Sequence, residues 1–507
     1  MSLALTSTVS LTGLIGNLID VEVDISDGLP GYILLGLPDA ALNESKDRVR
    51  AALVNSGEAW PNKKVTVSLS PAWLPKSGSA FDLPIALTLL MAQGLVPKDE
   101  PGTCIYLGEL ALDGQLRSVR GVLPAVLAAK KFGFTKALVP FNNYAEAKCV
   151  SGIEIIAINS LVEALKYLRF GEISVSPDPF ISNEDESYLD LCDVAGQVGA
   201  RRALEVAAIG GHHLLFIGPP GTGKTMLAER IPSILPPLEE DSILEVTAIH
   251  STAGTLLDRE LLSKLPPFVA PHHTTTAPAM IGGGAHAIRP GATSLAHQGV
   301  LFIDEAPECA RGVLDSLRQP LESGNVTISR AVGSVTYPAR FMLVLAANPC
   351  PCGRFSGRGR SCTCTQVAIR RYLQRLSGPL LDRIDIRVFV DSPSRIEMAS
   401  DELGESSAVV RQRVIAARAI TKERFADCLW KLNSQIPPSE LRKRFRAEKL
   451  GMNFLHTELD NERLSARGFH KVLRIAWSIA DASGHSIPSR DDVESAFRLR
   501  EGMEILA

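Results

Sequence analysis

Residues Gly218-Pro-Pro-Gly-Thr-Gly-Lys-Thr225 decide how this chain is read. The apolar run His212–Ile217 (HHLLFI) precedes them and has the composition of a buried parallel strand, and Met226–Ile231 continues as a helix. Strand, glycine-rich turn and helix in that order are what a phosphate-binding loop requires. Gly218, Gly221 and Gly223 let backbone amides approach an anion with no Cβ in the way, while Pro219, Pro220 and Thr222 fill the rest of the turn. Lys224 supplies positive charge to the β- and γ-phosphates of ATP, and Thr225 offers a hydroxyl to Mg2+. The bland alternative is an incidental glycine-rich turn. Eight matching residues in the right context argue against it.

Working outward, a second apolar strand, Gly299–Ile303, ends in Asp304-Glu305. Carboxylates at the end of a buried strand are costly unless they have a task. Asp304 is placed to hold Mg2+ through water, and Glu305 to polarise the attacking water. A third strand, Phe341–Ala347, ends at Asn348, whose amide could orient that water; Asn before Pro is equally a common turn. Lys224 and Asp304 stand 80 positions apart (304 − 224), where a simple strand–helix–strand unit needs only ~30. The extra chain includes Pro266–Gly284 (PPFVAPHHTTTAPAMIGGG), which reads as a mobile loop projecting from the core, or as a surface loop without function.

The chain has 507 residues, 45% hydrophobic and 21% charged, which suits about three globular domains. A net charge of −3 gives no general attraction to nucleic acid, so any such binding must come from local patches. The start, MSLALTSTVSLTGLIG, lacks the basic segment of a signal peptide, and no run of 18 apolar residues appears. A cytoplasmic protein that does not span a membrane is expected. Residues 1–170 alternate strand-like runs (Val65–Leu69, Ile105–Leu107, Ala137–Val139) with helical ones (Ser45–Asn55, Leu83–Gln93, Val122–Phe132) and predict an α/β domain. Residues 171–188 are rich in Ser, Pro and acid and read as a linker. Residues 189–392 form a second α/β region with a parallel sheet, and 393–507 an α-helical one.

Nine cysteines are present, and four of them crowd together as Cys350-Pro-Cys352 and Cys362-Thr-Cys364. Four thiolates can close a tetrahedral zinc site, although C-x-C is tighter than the usual spacing; reduced, unliganded cysteines are the alternative. Arg354, Arg358, Arg360, Arg370, Arg371 and Arg375 surround the pairs, with glycines at 357 and 359. Such a loop could grip a phosphate backbone, or be a solvated basic loop or an intersubunit contact. A further basic run, Arg442–Arg446, reads as a solvated helix face.

Several ordered motifs resemble the Mg-chelatase-like AAA+ ATPases, and within them the subgroup called YifB or ComM, competence-linked DNA helicases. They are Pro271-His-His-Thr-Thr275, Gly282-Gly-Gly284, Arg289-Pro-Gly291, Ser294-Leu-Ala-His297 and Gly299–Glu305. The resemblance extends to Gly36-Leu-Pro38, Ser45–Gly57, Ser79–Leu83, Gly108–Arg117, Asn348–Gly353 and Leu464–Gly468, and so covers nearly the whole chain. It implies an N-terminal Lon-protease-like (S5-like) α/β domain, an AAA+ core and a C-terminal helical lid. It implies that Asn348 is the sensor-1 residue. Arg383, in Gly378–Asp385, resembles an arginine finger that reaches a neighbouring subunit's γ-phosphate, and Arg467 resembles a sensor-2 arginine on the lid. A fixed guanidinium suits charge on a transferring phosphoryl group; without the resemblance both arginines would be surface ion-pair candidates. A finger acting on a neighbour demands a ring, which in this family is a homohexamer. The C-x-C pairing is shared with the subgroup and favours Zn2+.

Lon-type proteases use a Ser–Lys pair. Ser77 and Ser79 stand in the nucleophile region, but Gly114–Arg120, around the expected lysine, carries arginines and no lysine. Arginine is a poor general base, so the domain is expected to be non-proteolytic. The first functional expectation is an ATP-driven DNA motor acting on branched or single-stranded DNA, a branch-migration helicase in recombination during natural transformation. The second is a chelatase subunit driving Mg2+ into a porphyrin. The third, an ATP-dependent protease, is disfavoured by the missing lysine.

Overall fold

The computed structural model describes residues 2–74, 76, 78–98, 102–172, 189–256, 262–284, 288–330, 333–355, 362–391 and 404–502. Nearly all of the expected linker lies outside them, as do Ser77, Gly357, Arg358, Gly359 and Arg360.

The N-terminal region is built on one seven-stranded mixed sheet. Its opening strands, Ser2–Thr12 and Ile15–Ser26, form a long antiparallel pair that the sequence patterns above did not bring out. The signal was there: Ile19, Val21, Val23 and Ile25 face the core and alternate with Asp20, Glu22 and Asp24. Lys64–Ser70 and then Gly31–Leu35 extend one side, and Cys104–Tyr106, Lys136–Pro140 and Glu154–Ile158 extend the other in parallel. The helix Ser45–Asn55 falls where expected. The helix Asp82–Ala92 is buried on every side, which is why its sequence is apolar throughout. The one acid in it, Asp82, is held by the Arg48 guanidinium at 2.7 and 2.9 Å.

The second region is a five-stranded, wholly parallel sheet. Leu214–Ile217 lies between Met342–Ala347 and Ile386–Phe389; Val300–Ile303 follows Met342–Ala347, and Phe268–Val269 forms the far edge. In such sheets ligands bind beyond the carboxyl ends of the strands, and the 218–225 turn, Asp304 and Asn348 all emerge there. The 266–284 stretch is not the projecting loop expected. It contains the edge strand Phe268–Val269 and the short helix Ala277–Ile281, whose Met280 is 1% exposed in the core. Its prolines and glycines masked these pieces because each is too short to show a period.

The last region is helical, with Ser407–Arg424, Lys449–Asp460, Ala466–Ser483 and Arg490–Glu501 as its main helices. Ala466–Ser483 packs on the helix Val198–Gly210 of the core. A buried ion pair fixes it there: Lys471 Nζ donates to Asp385 Oδ1 at 2.6 Å and to the Ile384 carbonyl at 3.1 Å. The N-terminal region docks on the helix Glu240–Ala253, where the Ser251 hydroxyl donates to the buried Glu146 carboxylate at 2.5 Å and the Gly121 amide to Ser251 O at 3.2 Å. No helix among the described residues is long and apolar enough to cross a membrane.

Candidate active site

The strand Leu214–Ile217 ends at Gly218, whose amide donates to Ala347 O at 3.2 Å. An added Cβ at Gly218 would stand 2.1 Å from the Val390 carbonyl oxygen, so the chain can turn between its two neighbouring strands only with glycine. Lys224 then opens the helix Lys224–Glu229. Lys224 is 7% exposed, and its ammonium donates to the Gly218 and Pro219 carbonyls, both at 2.7 Å, and to Asn348 Oδ1 at 3.3 Å. Burial lowers its pKa, against the opposing pull of Asp304 and Glu305. Thr222 Oγ1 donates to Pro219 O at 2.9 Å and braces the turn from within.

The Thr225 hydroxyl donates to Asp304 Oδ2 at 2.9 Å, and Asp304 Oδ1 accepts the Glu305 amide at 2.8 Å. A hydroxyl and a carboxylate converging at one point are the hard oxygen donors that Mg2+ takes. Glu305 adopts φ 47°, ψ 39°, the left-handed region that a non-glycine residue enters only when its surroundings impose it. Its carboxylate lies 3.3 Å from His273 Nδ1. Lys224, Thr225, Asp304 and Asn348 are thus gathered in one polar cluster, with Glu305 at its rim. Two contributors were not evident from sequence. His273 lay within a stretch that reads as a loop. Gln197 braces the turn by donating to Thr222 O at 3.4 Å and to Asp391 O, and no local pattern marks it.

The two candidate arginines lie elsewhere. Asp385, two residues after Arg383, pairs with His213, at the amino end of the strand that leads to Gly218. Five residues of strand separate that level from the phosphate turn, ~16 Å at a rise of ~3.3 Å each. Arg383 donates to Pro379 O at 2.6 Å and to Glu322. Arg467 donates to Asp382, the residue before Arg383, so the structure places the lid arginine beside the finger candidate and not at the phosphate turn.

The four clustered cysteines do come together. Their Sγ atoms all lie within 4.8 Å of one another, with three separations of 3.4, 3.7 and 3.7 Å. Tetrahedral Zn–S bonds of ~2.3 Å require S···S edges of ~3.8 Å, so the donor set fits that ion. Hydrogen bonds from the Arg354 amide and from Cys350 lower the Cys352 thiol to about 6. The cluster also touches the nucleotide turn: Gly353, at φ +72°, leaves only 2.6 Å between an added Cβ and Pro220 Cδ.

In the N-terminal region Ser79 donates to the Glu109 carboxylate, and the buried Lys76 ammonium donates to Pro71 O. The serine and the lysine thus each have a partner other than the other, in keeping with a domain that lacks a Ser–Lys pair.

The family described as "Magnesium chelatase, subunit ChlI" matches residues 190–398, "Subunit ChlI of Mg-chelatase" matches 21–143, and "Magnesium chelatase, subunit ChlI C-terminal" matches 404–500. Full-length relatives include an uncharacterised protein of Mycobacterium tuberculosis, 47% identical over 501 residues, 99% of each chain. Competence protein ComM of Haemophilus influenzae is 40% identical over 490 residues, 96% of this chain and 94% of its own length. The uncharacterised YifB of Escherichia coli is 41% identical over 504 residues, 99% and 97% of the two chains. Lon protease 2 of Bacillus subtilis is similar over 108 residues only, at 33% identity, covering 21% of this chain and 18% of that protein.

Proposed function

The chain belongs to the Mg-chelatase-like AAA+ ATPases, in the YifB/ComM subgroup, and from that premise we propose that it is a ring motor acting on DNA, a branch-migration helicase in recombination during natural transformation. The ring is a homohexamer in the cytoplasm, and its DNA is branched or single-stranded. The observation that carries the reading is the division of the site between the two ends of one sheet. The cluster of Lys224, Thr225, Asp304 and Asn348 stands at the carboxyl end, and Arg383 stands ~16 Å away at the amino end, too far to serve the same nucleotide. In a ring, one subunit's arginines meet the next subunit's phosphates.

Each residue then has a task. The amides of 218–225 and the Lys224 ammonium hold the β- and γ-phosphates. Thr225 and Asp304 hold Mg2+, which offsets phosphate charge when bound. Glu305 takes the proton of the attacking water, and Asn348, hydrogen-bonded to Lys224, orients that water. Arg383 and Arg467 stabilise charge on the transferring group from the neighbouring subunit. Cys350, Cys352, Cys362 and Cys364 hold structural Zn2+ and staple the basic loop that touches DNA phosphates. Residues 1–170 form a non-proteolytic docking module, 171–188 a linker, 189–392 the ATPase core and 393–507 the lid.

The test is ATP hydrolysis with and without a four-way DNA junction, alongside strand movement on that junction. Stimulation together with strand movement is expected. A protein that neither binds the junction nor responds to it is not a DNA motor, and porphyrin metallation would then be measured in its place.

A further inference from the structure

The edge strand and the strand that ends at Asp304 run in parallel, with Phe268 opposite Val300 and Val269 opposite Leu301. The offset of 32 positions (300 − 268), carried on past the last pair, sets His272 opposite Asp304 and His273 opposite Glu305. The side chains bear this out, since His273 Nδ1 lies 3.3 Å from Glu305 Oε2. His273 is also held in place. Its ring packs on that of His272 with centroids 4.0 Å apart. His272 in turn is fixed by a turn in which its Nδ1 meets Thr274 Oγ1 at 2.8 Å and its carbonyl accepts the Thr275 amide at 2.9 Å. Just beyond this turn, the helix Ala277–Ile281 is pinned to the core by buried Met280 and by the Thr293 hydroxyl, which donates to Met280 O at 3.1 Å.

The order of strands gives this contact a direction. The phosphate turn follows Leu214–Ile217, and the strand bearing Asn348 and then the strand bearing Asp304 separate it from the Phe268–Val269 edge. Three strand spacings of ~4.8 Å put that edge ~14 Å from the phosphate-turn strand. A Glu305 carboxylate bonded to His273 is drawn toward the edge, away from the γ-phosphate, and one of its oxygens is occupied. The left-handed backbone of Glu305 shows that its neighbours over-determine its position.

We propose that His273 is a positioning residue that restrains Glu305, so that the 270–284 segment acts as a brake on ATP hydrolysis, released when that segment shifts. The proposal rests on the reading of Glu305 as the base that activates water. The test compares steady-state ATP hydrolysis by the full chain with Mg·ATP for the parent, His273→Ala, His273→Asn, Glu305→Gln and the double variant His273→Ala/Glu305→Gln. The expected result is a three- to tenfold rise in basal kcat for His273→Ala with KM for ATP unchanged. His273→Asn, which keeps a hydrogen-bond donor, should return kcat to near the parent value. The double variant should be as inactive as Glu305→Gln, because a brake has nothing to release once the base is gone. A His273→Ala kcat equal to or below the parent value overturns the brake, as does a rise matched by an equal change in KM. Glu305→Gln separates the two layers: a variant that still hydrolyses ATP at the parent rate removes the role of Glu305 itself. An inactive Glu305→Gln with His273→Ala unchanged removes only the tether. Should His273→Ala melt well below the parent, His273→Asn and His273→Gln decide the same question by their kcat-to-KM split.

Discussion

The two ends of the five-stranded parallel sheet are built on opposite plans. At the carboxyl end, polar groups bond to one another across three strands: Lys224 to Asn348, Thr225 to Asp304, Asp304 to the Glu305 amide. At the amino end a buried pair, Asp385 with Lys471, sits beneath two arginines that lean on acids of their own chain, Glu322 and Asp382. Exposed ion pairs of that kind are weak and readily exchanged, whereas a buried pair is costly to break. The carboxyl end is therefore a finished cluster, and the amino end is a rigid base with replaceable tips. A phosphate from another molecule can take the place of Glu322 and Asp382 without disturbing the base.

The largest test of that division uses one variant from each end. Lys224→Ala should abolish ATP binding and hydrolysis. Arg383→Ala should keep ATP binding and lose ~10³-fold or more in kcat, the scale of an arginine finger. Mixing the two inactive proteins should then restore measurable hydrolysis, because some interfaces join an intact Lys224 cluster to an intact Arg383. Nucleotide binding by fluorescence and phosphate release from the mixture check this. A mixture as inactive as its components would mean that both residues act on the same nucleotide.

The base itself is probed by Lys471→Ala. This change leaves the Asp385 carboxylate buried without its cation, and breaking such a pair costs ~3–5 kcal/mol. Asp385 is held well below the usual carboxylate range: burial opposes ionisation, but the Lys471 charge and the hydrogen bond from His212 outweigh it. Denaturant melts of the core should show the loss. Lys471→Met, which keeps the stem, should be no better, because the group removed in both variants is the charge.

How much of this was legible in the sequence follows from the reach of each interaction. The phosphate turn, Asp304 and the strands that carry them were readable because short apolar runs and glycines act locally. The buried strand Met342–Ala347 and the helix Ser45–Asn55 were readable for the same reason. The cysteine cluster was readable as spacing, and folding brings its four sulfurs to one point. What could not be read depends on pairing between distant segments. The position of Arg467 beside Asp382, 85 residues away, is set by how the lid helix packs. The His273–Glu305 contact is set by the register of a two-residue edge strand hidden among prolines. The opening antiparallel pair was legible from its alternation and was overlooked.

A smaller effect separates the two ends by pH. His213 stands at the amino end, where its Nδ1 accepts the Leu343 amide at 3.1 Å, a bond that needs the ring nitrogen unprotonated. Burial lowers its pKa from 6.5 to about 4, with the Lys471 charge adding and Asp385 opposing. The folded state therefore binds fewer protons than the unfolded chain between those two values, and stability falls as pH drops through that window. Between pH 8 and pH 5 the loss should be about 2 kcal/mol, from ~1.4 kcal/mol per pKa unit. Melts at the two pH values should show this slope in the parent and a shallower one in His213→Gln. An equal slope in both would assign the acid sensitivity to other groups.

The smallest effect concerns the place where the cysteine cluster meets the finished end. Gly353 is left-handed at φ +72°, and a Cβ there would lie 2.6 Å from Pro220 Cδ, a ring that cannot swing aside as a flexible side chain would. Gly353→Ala must then either strain its own backbone, at ~1–2 kcal/mol, or push Pro220 and with it the carbonyls and amides of the phosphate turn. In the second case KM for ATP should rise about three- to tenfold, equivalent to ~1 kcal/mol, with kcat near the parent value and the Arg383 end unaffected in the mixing experiment. Treatment with a thiol-reactive chelator should mimic the substitution if the four cysteines hold the Cys350–Gly353 turn against Pro220. A Gly353→Ala protein that melts lower but keeps its KM would show that the backbone took up the strain, leaving the cluster and the phosphate turn as neighbours in contact without coupling.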